Sequence, residues 1–187
     1  MSAFLSDIDQ AIFYQINGLQ LWAWLESVLI YWRTKTTWMP LYLLVMLWIL
    51  IRYKWRGLWF IIALGLTVGL ADQLSAHFLK PLIHRARPCQ VPLASLIQRV
   101  SCGAGMSFPS SHATDHFALA GFVFNRLNPP YRWIPLLIIV WAAIVAFAQV
   151  FVGVHYPSDV LFGALLGWTI GYVMYEIYLR LLNQRAI

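Results

Sequence analysis

Long apolar runs dominate this sequence and leave few folds open to it. Each is roughly the 17–25 residues that a helix needs to cross the hydrocarbon core of a bilayer. Five can be read: about Thr37–Arg52, Gly57–Leu79, Phe108–Asn125, Trp133–Val152 and Ser158–Leu182. The third is the least apolar. Only 11% of the 187 residues are charged, 61% are hydrophobic, and mean hydropathy is +0.69. A soluble sphere of this size cannot cover its surface with so few charges, so most of that surface faces lipid. Disorder and a soluble nucleic-acid binder are excluded, despite a net charge of +6. The 10 Trp, 9 Tyr and 11 Phe suit a protein with two membrane–water interfaces.

The reading is therefore all-α: a helical membrane bundle of five spans, in one domain over residues 1–187. Residues 36–182 form the transmembrane core and residues 1–33 an N-terminal interfacial segment. Phe4, Leu5, Ile8, Ile12, Phe13 and Ile16 share one helical face against Asp7, Asp9, Gln10 and Gln15, the pattern of an interfacial amphipathic helix. Leu19–Trp32 is apolar, short and broken by Glu26, and leaves a sixth crossing open. No cleavable signal peptide is expected, so insertion would rely on the first spanning helix.

Loop charges set the orientation. Arg52, Lys54, Arg56, Arg126, Arg132, Arg180 and Arg185 fall on one side. The other holds Arg33, Lys35 and Arg99, together with Lys80, Arg85 and Arg87, which crowd one short stretch as if held by a site. With those three set aside, the first side is cytoplasmic. The Pro81–Ser107 loop then faces outward.

Three polar segments meet on that outward face: Lys80 to Arg87-Pro88, Pro109-Ser110-Ser111-His112, and Gly153-Val154-His155-Tyr156-Pro157-Ser158-Asp159. Pro109-Ser110-Ser111 reads as a helix start, whose free N–H groups and dipole favour an anion. Lys80 and Arg87 are donors to phosphate oxygens. Asp159, four residues after His155, can orient that ring, and His112 supplies a second titratable group. Taken singly these residues have plainer readings, as headgroup anchors, a helix cap or satisfied interfacial histidines. Their joint occurrence on one face outweighs those readings and gives the parts for phosphoryl transfer without metal.

These motifs resemble the type 2 phosphatidic acid phosphatases, in the superfamily shared with bacterial acid phosphatases and vanadium haloperoxidases. Lys80 through Arg87-Pro88 matches the first family motif. Pro109-Ser110-Ser111-His112 matches the second with Ser111 for Gly. Ala148-Gln149, His155 and Asp159 align with the third, where the family has Ser-Arg before the His. The resemblance implies that His155 attacks phosphorus, Asp159 orients it, and His112 protonates the leaving oxygen. Lys80, Arg87, Ser110, Ser111 and Gln149 would hold the phosphate. No metal or other cofactor is expected; the partners are a lipid phosphate or diphosphate and membrane lipid, with no nucleic acid and no obligate protein partner.

The resemblance leaves the substrate open: undecaprenyl diphosphate first, then phosphatidylglycerol phosphate, phosphatidic acid or a lipid A phosphate. Gln149 removes a cation, which can cost about 3 kcal/mol of transition-state stabilisation. It therefore keeps a weakened phosphatase or a lipid-phosphate binder in play, unless Arg85 or Arg99 replaces the charge. A transporter would need broken helices at mid-membrane, and a vanadate-dependent oxidase does not suit so small a bundle. Asp72, mid-helix, reads first as a structural polar contact with Gln73 or a neighbouring helix and second as a partner for a basic or imidazole group in the bundle, and His77 shares a face with Lys80. Asp115 and His116 are divided between supporting the site and packing. His84 is a loop residue. Gly103 and Gly105 suggest a flexible lead into the phosphate cradle. Cys89 and Cys102 are a disulfide in an oxidising compartment or two free thiols.

Overall fold

The computed structural model describes residues 3–93, 95–124 and 133–182, without the side chains of 3–5 and 182. Arg126, Arg132 and Arg185, used above for orientation, and Asn125, the expected end of the third span, lie outside the described residues, as do the side chains of Phe4 and Leu5. Every regular element among the described residues is helical. The order is α1 (Ala3–Asn17), α2 (Ala23–Trp32), a 3-10 turn (Lys35–Trp38), α3 (Met39–Asp72), a π-helical stretch (Gln73–Leu79), α4 (Lys80–Ile83), a 3-10 turn (Pro88–Gln90), α5 (Ser111–Phe124), α6 (Trp133–Phe151) and α7 (Pro157–Leu182).

Three helical stretches are long and apolar enough to cross a membrane: Lys35–Ile83, Trp133–Phe151 and Pro157–Leu181. The first, 49 residues, would measure about 73 Å if straight, over twice a hydrocarbon core. It is not straight. Lys54 takes φ 50° and ψ −124°, and a Cβ on Gly57 would lie 2.6 Å from the Ile49 carbonyl oxygen. The chain therefore doubles back at Lys54, giving two adjacent arms where the sequence predicts the first two spans. Trp48, Trp55 and Trp59 are exposed around that turn, beside Arg52, Lys54 and Arg56.

The remaining expectations shift in length. α2 has 10 residues, about 15 Å, half the thickness of a hydrocarbon core. α5 has 14 residues where the sequence suggested a span from Phe108, because Pro109 and the cap at Ser110 start the helix later. Most of α5 is buried, so it forms the centre of the bundle. It packs chiefly on α7, whose Gly163, Gly167 and Gly171 form a stripe facing α5. A Cβ on Gly163 would stand 2.7 Å from the Ser110 carbonyl oxygen, and those on Gly167 and Gly171 would run into the carbonyls of Thr114 and Ala118. Absent side chains thus permit backbone-to-backbone approach, as in membrane helix pairs.

The N-terminal helix forms as expected, but its buried side takes in only part of the apolar face. Ile8 and Ile12 point outward, while Asp9, Phe13 and Asn17, spaced four residues apart, are buried. Phe13 packs in the core with Ala113, Ala146, Val150, Tyr156 and Val160, its ring 5.5 Å from that of Tyr156. Asn17 donates to the carbonyls of Ile97 (2.9 Å) and Phe151 (3.0 Å) and accepts from the Ile97 N–H (2.8 Å). α1 is thereby bound to the loop before α5 and to the α6–α7 turn. A Cys89–Cys102 disulfide closes that loop, so the two-thiol alternative does not hold.

Candidate active site

The three motif segments meet, and hydrogen bonds tie each to the next. Lys80 ends the long π-interrupted helix; His84, at φ 54° and ψ 31°, is the left-handed cap that turns the chain out. Beyond it the Arg85 carbonyl accepts the Ser107 N–H at 2.7 Å, and the Ser110 N–H donates to the Asp159 carbonyl at 3.0 Å. Ser110, fully buried, caps α5 by accepting the Ala113 N–H at 3.5 Å. The neighbouring Ser111 hydroxyl is buried without a partner among the described residues.

His155 follows the turn at Gly153, where φ of +87° suits glycine and a Cβ would meet Leu96 at 3.0 Å and the Ile97 carbonyl at 3.1 Å. The imidazole is 2% exposed. Its Nδ1 lies 3.4 Å from both Asp159 Oδ2 and Ser107 Oγ, leaving Nε2 as the ring nitrogen free to react. Burial pushes His155 down to about 4; the Asp159 carboxylate opposes this, and the nearby Arg87 and Lys80 cations reinforce it. The ring is thus a neutral base at physiological pH, with two cations beside it.

Asp159 is saturated. Its Oδ2 accepts the Tyr156 N–H at 2.8 Å and a short hydrogen bond from the Ser107 hydroxyl, while its Oδ1 takes the Arg85 guanidinium at 2.6 Å. Arg85 also donates to Ser158 Oγ (2.7 Å) and to Asp9 Oδ2 (2.5 Å), and Asp9 in turn accepts the Ser158 N–H (2.8 Å). Arg85 is therefore a clamp between α1 and α7 and does not reach Gln149. Asp9 is a residue the motifs miss, since its only sequence signal is one carboxylate among the polar residues of an amphipathic helix.

Arg87 is held differently. Its Nε donates to the Gly105 carbonyl at 2.7 Å, and Gln90 bonds the Gly103 carbonyl at 3.1 Å. The Gly105 carbonyl thus holds the cation directly, and Gln90 ties the Gly103 carbonyl beside it, a more definite role for these glycines than a flexible lead. The terminal nitrogens of Arg87 and the ammonium of Lys80 carry no hydrogen bond or ion pair among the described residues. Arg99 is also committed elsewhere, to the carbonyls of Asn17 (2.7 Å), Phe151 (2.8 Å) and Leu19 (2.9 Å) and to Glu26 (3.1 Å).

Gln149 is fully buried on α6, and its backbone carbonyl accepts the N–H of His155 at 3.3 Å. Its Oε1 accepts a hydrogen bond from Arg33 Nη2 at 3.1 Å, and its Nε2 is unpartnered. The residue that reaches Gln149 is thus Arg33, not Arg85 or Arg99. Arg33 follows α2 in a segment docked on α6 by Trp38 and Trp141, whose rings lie 5.5 Å apart.

His112, half-buried, opens α5, and its carbonyl lies 2.7 Å from His116 Nδ1. His116 lies against Trp141, the ring centroids 4.5 Å apart and the planes tilted by 55°. Asp115 pairs with Lys35 at 2.8 Å, and Asp72 lies 3.9 Å from the same ammonium. Asp72 therefore faces a cation, the second of its two readings. His77 and His84 are exposed.

Comparison with known proteins gives the chain a family. The model of the PAP2 superfamily matches residues 57–182. A lipid A 4'-phosphatase of Bacteroides thetaiotaomicron is 34% identical over 184 residues, covering 95% of this chain and 80% of that protein. A second, from Porphyromonas gingivalis, is 27% identical, covering 94% and 75%. The crystal structure of a transmembrane PAP2 type phosphatidylglycerolphosphate phosphatase from Bacillus subtilis shares the fold, with a TM-score of 0.71 at 23% identity over 98% of this chain and 90% of that one.

Proposed function

The chain belongs to the PAP2 superfamily and is a multi-pass membrane phosphatase; from that premise we propose that it removes a phosphate monoester from a lipid through a phosphohistidine on His155. The observation that carries this reading is the neutral, buried His155. It has Nε2 free, Nδ1 directed at a saturated Asp159, and two unpaired cations close by.

The proposed steps follow from those positions. The headgroup phosphate settles between Lys80, Arg87, the Ser111 hydroxyl and the free N–H groups at the start of α5. His155 Nε2 attacks phosphorus, forming an N–P bond as the ester P–O bond breaks. His112 gives its proton to the departing alkoxide. Asp159 stabilises the positive charge that the substituted ring acquires. A water then gives a proton to His112 and attacks phosphorus, releasing inorganic phosphate and restoring both histidines.

The first substrate proposed is a lipid A phosphate, on the extent of the likeness to the two lipid A 4'-phosphatases. It moves ahead of undecaprenyl diphosphate and phosphatidylglycerol phosphate, which stay in the panel. The outward face of the inner membrane is the proposed location, with the Lys54 turn on the cytoplasmic side. There each arm of the folded-back helix would cross once, and the whole chain would form one membrane-embedded unit.

The deciding experiment is phosphate release by the purified protein in detergent with EDTA, across lipid A, undecaprenyl diphosphate, phosphatidylglycerol phosphate and phosphatidic acid. Turnover of lipid A is expected, abolished by His155→Ala and lowered roughly 10²–10⁴-fold in kcat by Asp159→Asn. Equal background release from wild type and His155→Ala on every lipid would refute the catalytic reading and leave a lipid-phosphate binder.

A further inference from the structure

Arg33 makes an unusual pair. A guanidinium taken out of water normally finds a carboxylate, yet Arg33 has no ion pair among the described residues, and its single side-chain hydrogen bond goes to a neutral amide, Gln149 Oε1. Its Nε is buried without a partner, and so is Gln149 Nε2. Both orphans sit one hydrogen bond from the nucleophile's own backbone, because the Gln149 carbonyl holds the His155 N–H at 3.3 Å. Burial, and with it the nearby Arg87 cation, pushes the Arg33 guanidinium down. An anionic ligand would supply the partner that Arg33 lacks among the described residues.

We propose that Arg33 is a catalytic residue that binds a transferring phosphoryl oxygen, and that Gln149 is its positioning residue, accepting one guanidinium N–H and leaving Nε2 to donate to the same phosphate. This deepens the phosphatase reading and rests on it. The charge that the third motif lacks on α6 is delivered from the segment after α2. That segment is fixed in place by Trp38 Nε1 bonding the Trp32 carbonyl at 2.7 Å and by the Trp38–Trp141 contact. Gln149 then marks a relocated cation, and the site need not be weakened. The planar fork matters, since one edge can face Gln149 while another faces the phosphate.

The test combines turnover with anion affinity. In wild-type protein, Arg33→Ala is expected to lower kcat/KM on the order of a hundredfold, as loss of one transition-state donor does. Arg33→Lys should recover only part of that loss. Gln149→Ala should cost about tenfold alone and almost nothing more on top of Arg33→Ala, because the two act as a unit. The double variant Arg33→Ala/Gln149→Arg should regain activity over Arg33→Ala, since it returns the cation to α6. Orthovanadate, which adopts the geometry of the transferring phosphoryl group, should inhibit Arg33→Ala far more weakly than wild type.

A merely structural Arg33 gives a different pattern: unchanged vanadate affinity in folded Arg33→Ala, and no rescue from Gln149→Arg. That result overturns the proposal even with wild-type turnover intact. Should Arg33→Ala fail to fold, Arg33→Lys and its vanadate affinity carry the same decision. Failure of the phosphatase reading looks different again, with no His155-dependent turnover on any lipid. Direct vanadate binding to wild type and Arg33→Ala would then still decide whether Arg33 faces the anion.

Discussion

In the proposed reaction His155 would owe its reactivity to where its charge is refused. Burial and two neighbouring cations hold the ring neutral, with its titration lowered from the ordinary 6.5 to about 4. The sign follows directly. Between about pH 4 and 6.5 the unfolded chain binds a proton that the native ring does not, so native stability rises with pH across that window and is flat above it. The difference in melting temperature between wild type and His155→Ala in detergent should therefore change from pH 4 to 6.5 and level off above that window. A difference independent of pH would mean that His155 titrates at its ordinary value.

Arg85 shows how residue-scale reading can misassign a role. Beside Lys80 and Arg87 it looks like a third phosphate donor or a stand-in for the charge missing at Gln149. Its guanidinium instead lies between Asp9 and Asp159, against the Tyr156 ring at 4.1 Å. Asp9→Ala would remove one carboxylate and leave Ser158 without its acceptor. About 2 kcal/mol of stability should go with those charged hydrogen bonds, and kcat should fall because Asp159 loses its restraint. Thermal unfolding in detergent read beside kcat separates this from a simple packing defect, which would lower the melting temperature and leave the kcat of the folded fraction intact.

Among the elements, the motifs declared the site while the helices carrying it declared themselves unevenly. Lys80, Arg87, Ser110, Ser111, His112, His155 and Asp159 could be read from spacing, because their chemistry is local to three short stretches. Asp9 and Arg33 could not, since each is a single charge whose value depends on a helix far away in sequence. Hydropathy located the apolar arms around Lys54 but set the start of α5 at Phe108, ahead of Ser111; the small residues of α5 reflect burial at the bundle centre more than exposure to lipid. The Gly163, Gly167 and Gly171 stripe explains how α5 is held. Gly167→Leu should force α5 and α7 apart, displacing Ser110 from the Asp159 carbonyl. Loss of the folded species on size exclusion, or activity down by more than tenfold in what remains folded, is the expected result. Wild-type behaviour in both would mean that this contact does not position the site.

At the scale of the whole molecule, the site is assembled from nearly every segment of the chain, and the outward loop must hold its share without a helix. Between Ile83 and Ser111 the only regular element among the described residues is one 3-10 turn, yet this stretch carries Arg87, Gly105 and Ser107 to the site. The Cys89–Cys102 disulfide, 13 residues apart, is what restricts it. Closing a loop of this size is worth about 3 kcal/mol in the chain-entropy account. The bond lies directly after the Arg87-Pro88 pair and directly before Gly103, so it joins the two strands of loop between which the guanidinium is held. Reduction should therefore act on Arg87 more than on His155, whose partners lie on α7 and at Ser107. The expected signature is a KM for lipid phosphate raised several-fold, with kcat changed little and the melting temperature lowered. Cys89→Ser/Cys102→Ser should reproduce it without added reductant. An unchanged KM in the reduced protein, verified free of the bond by thiol titration, would show that the glycine carbonyls alone suffice to hold the Arg87 cradle.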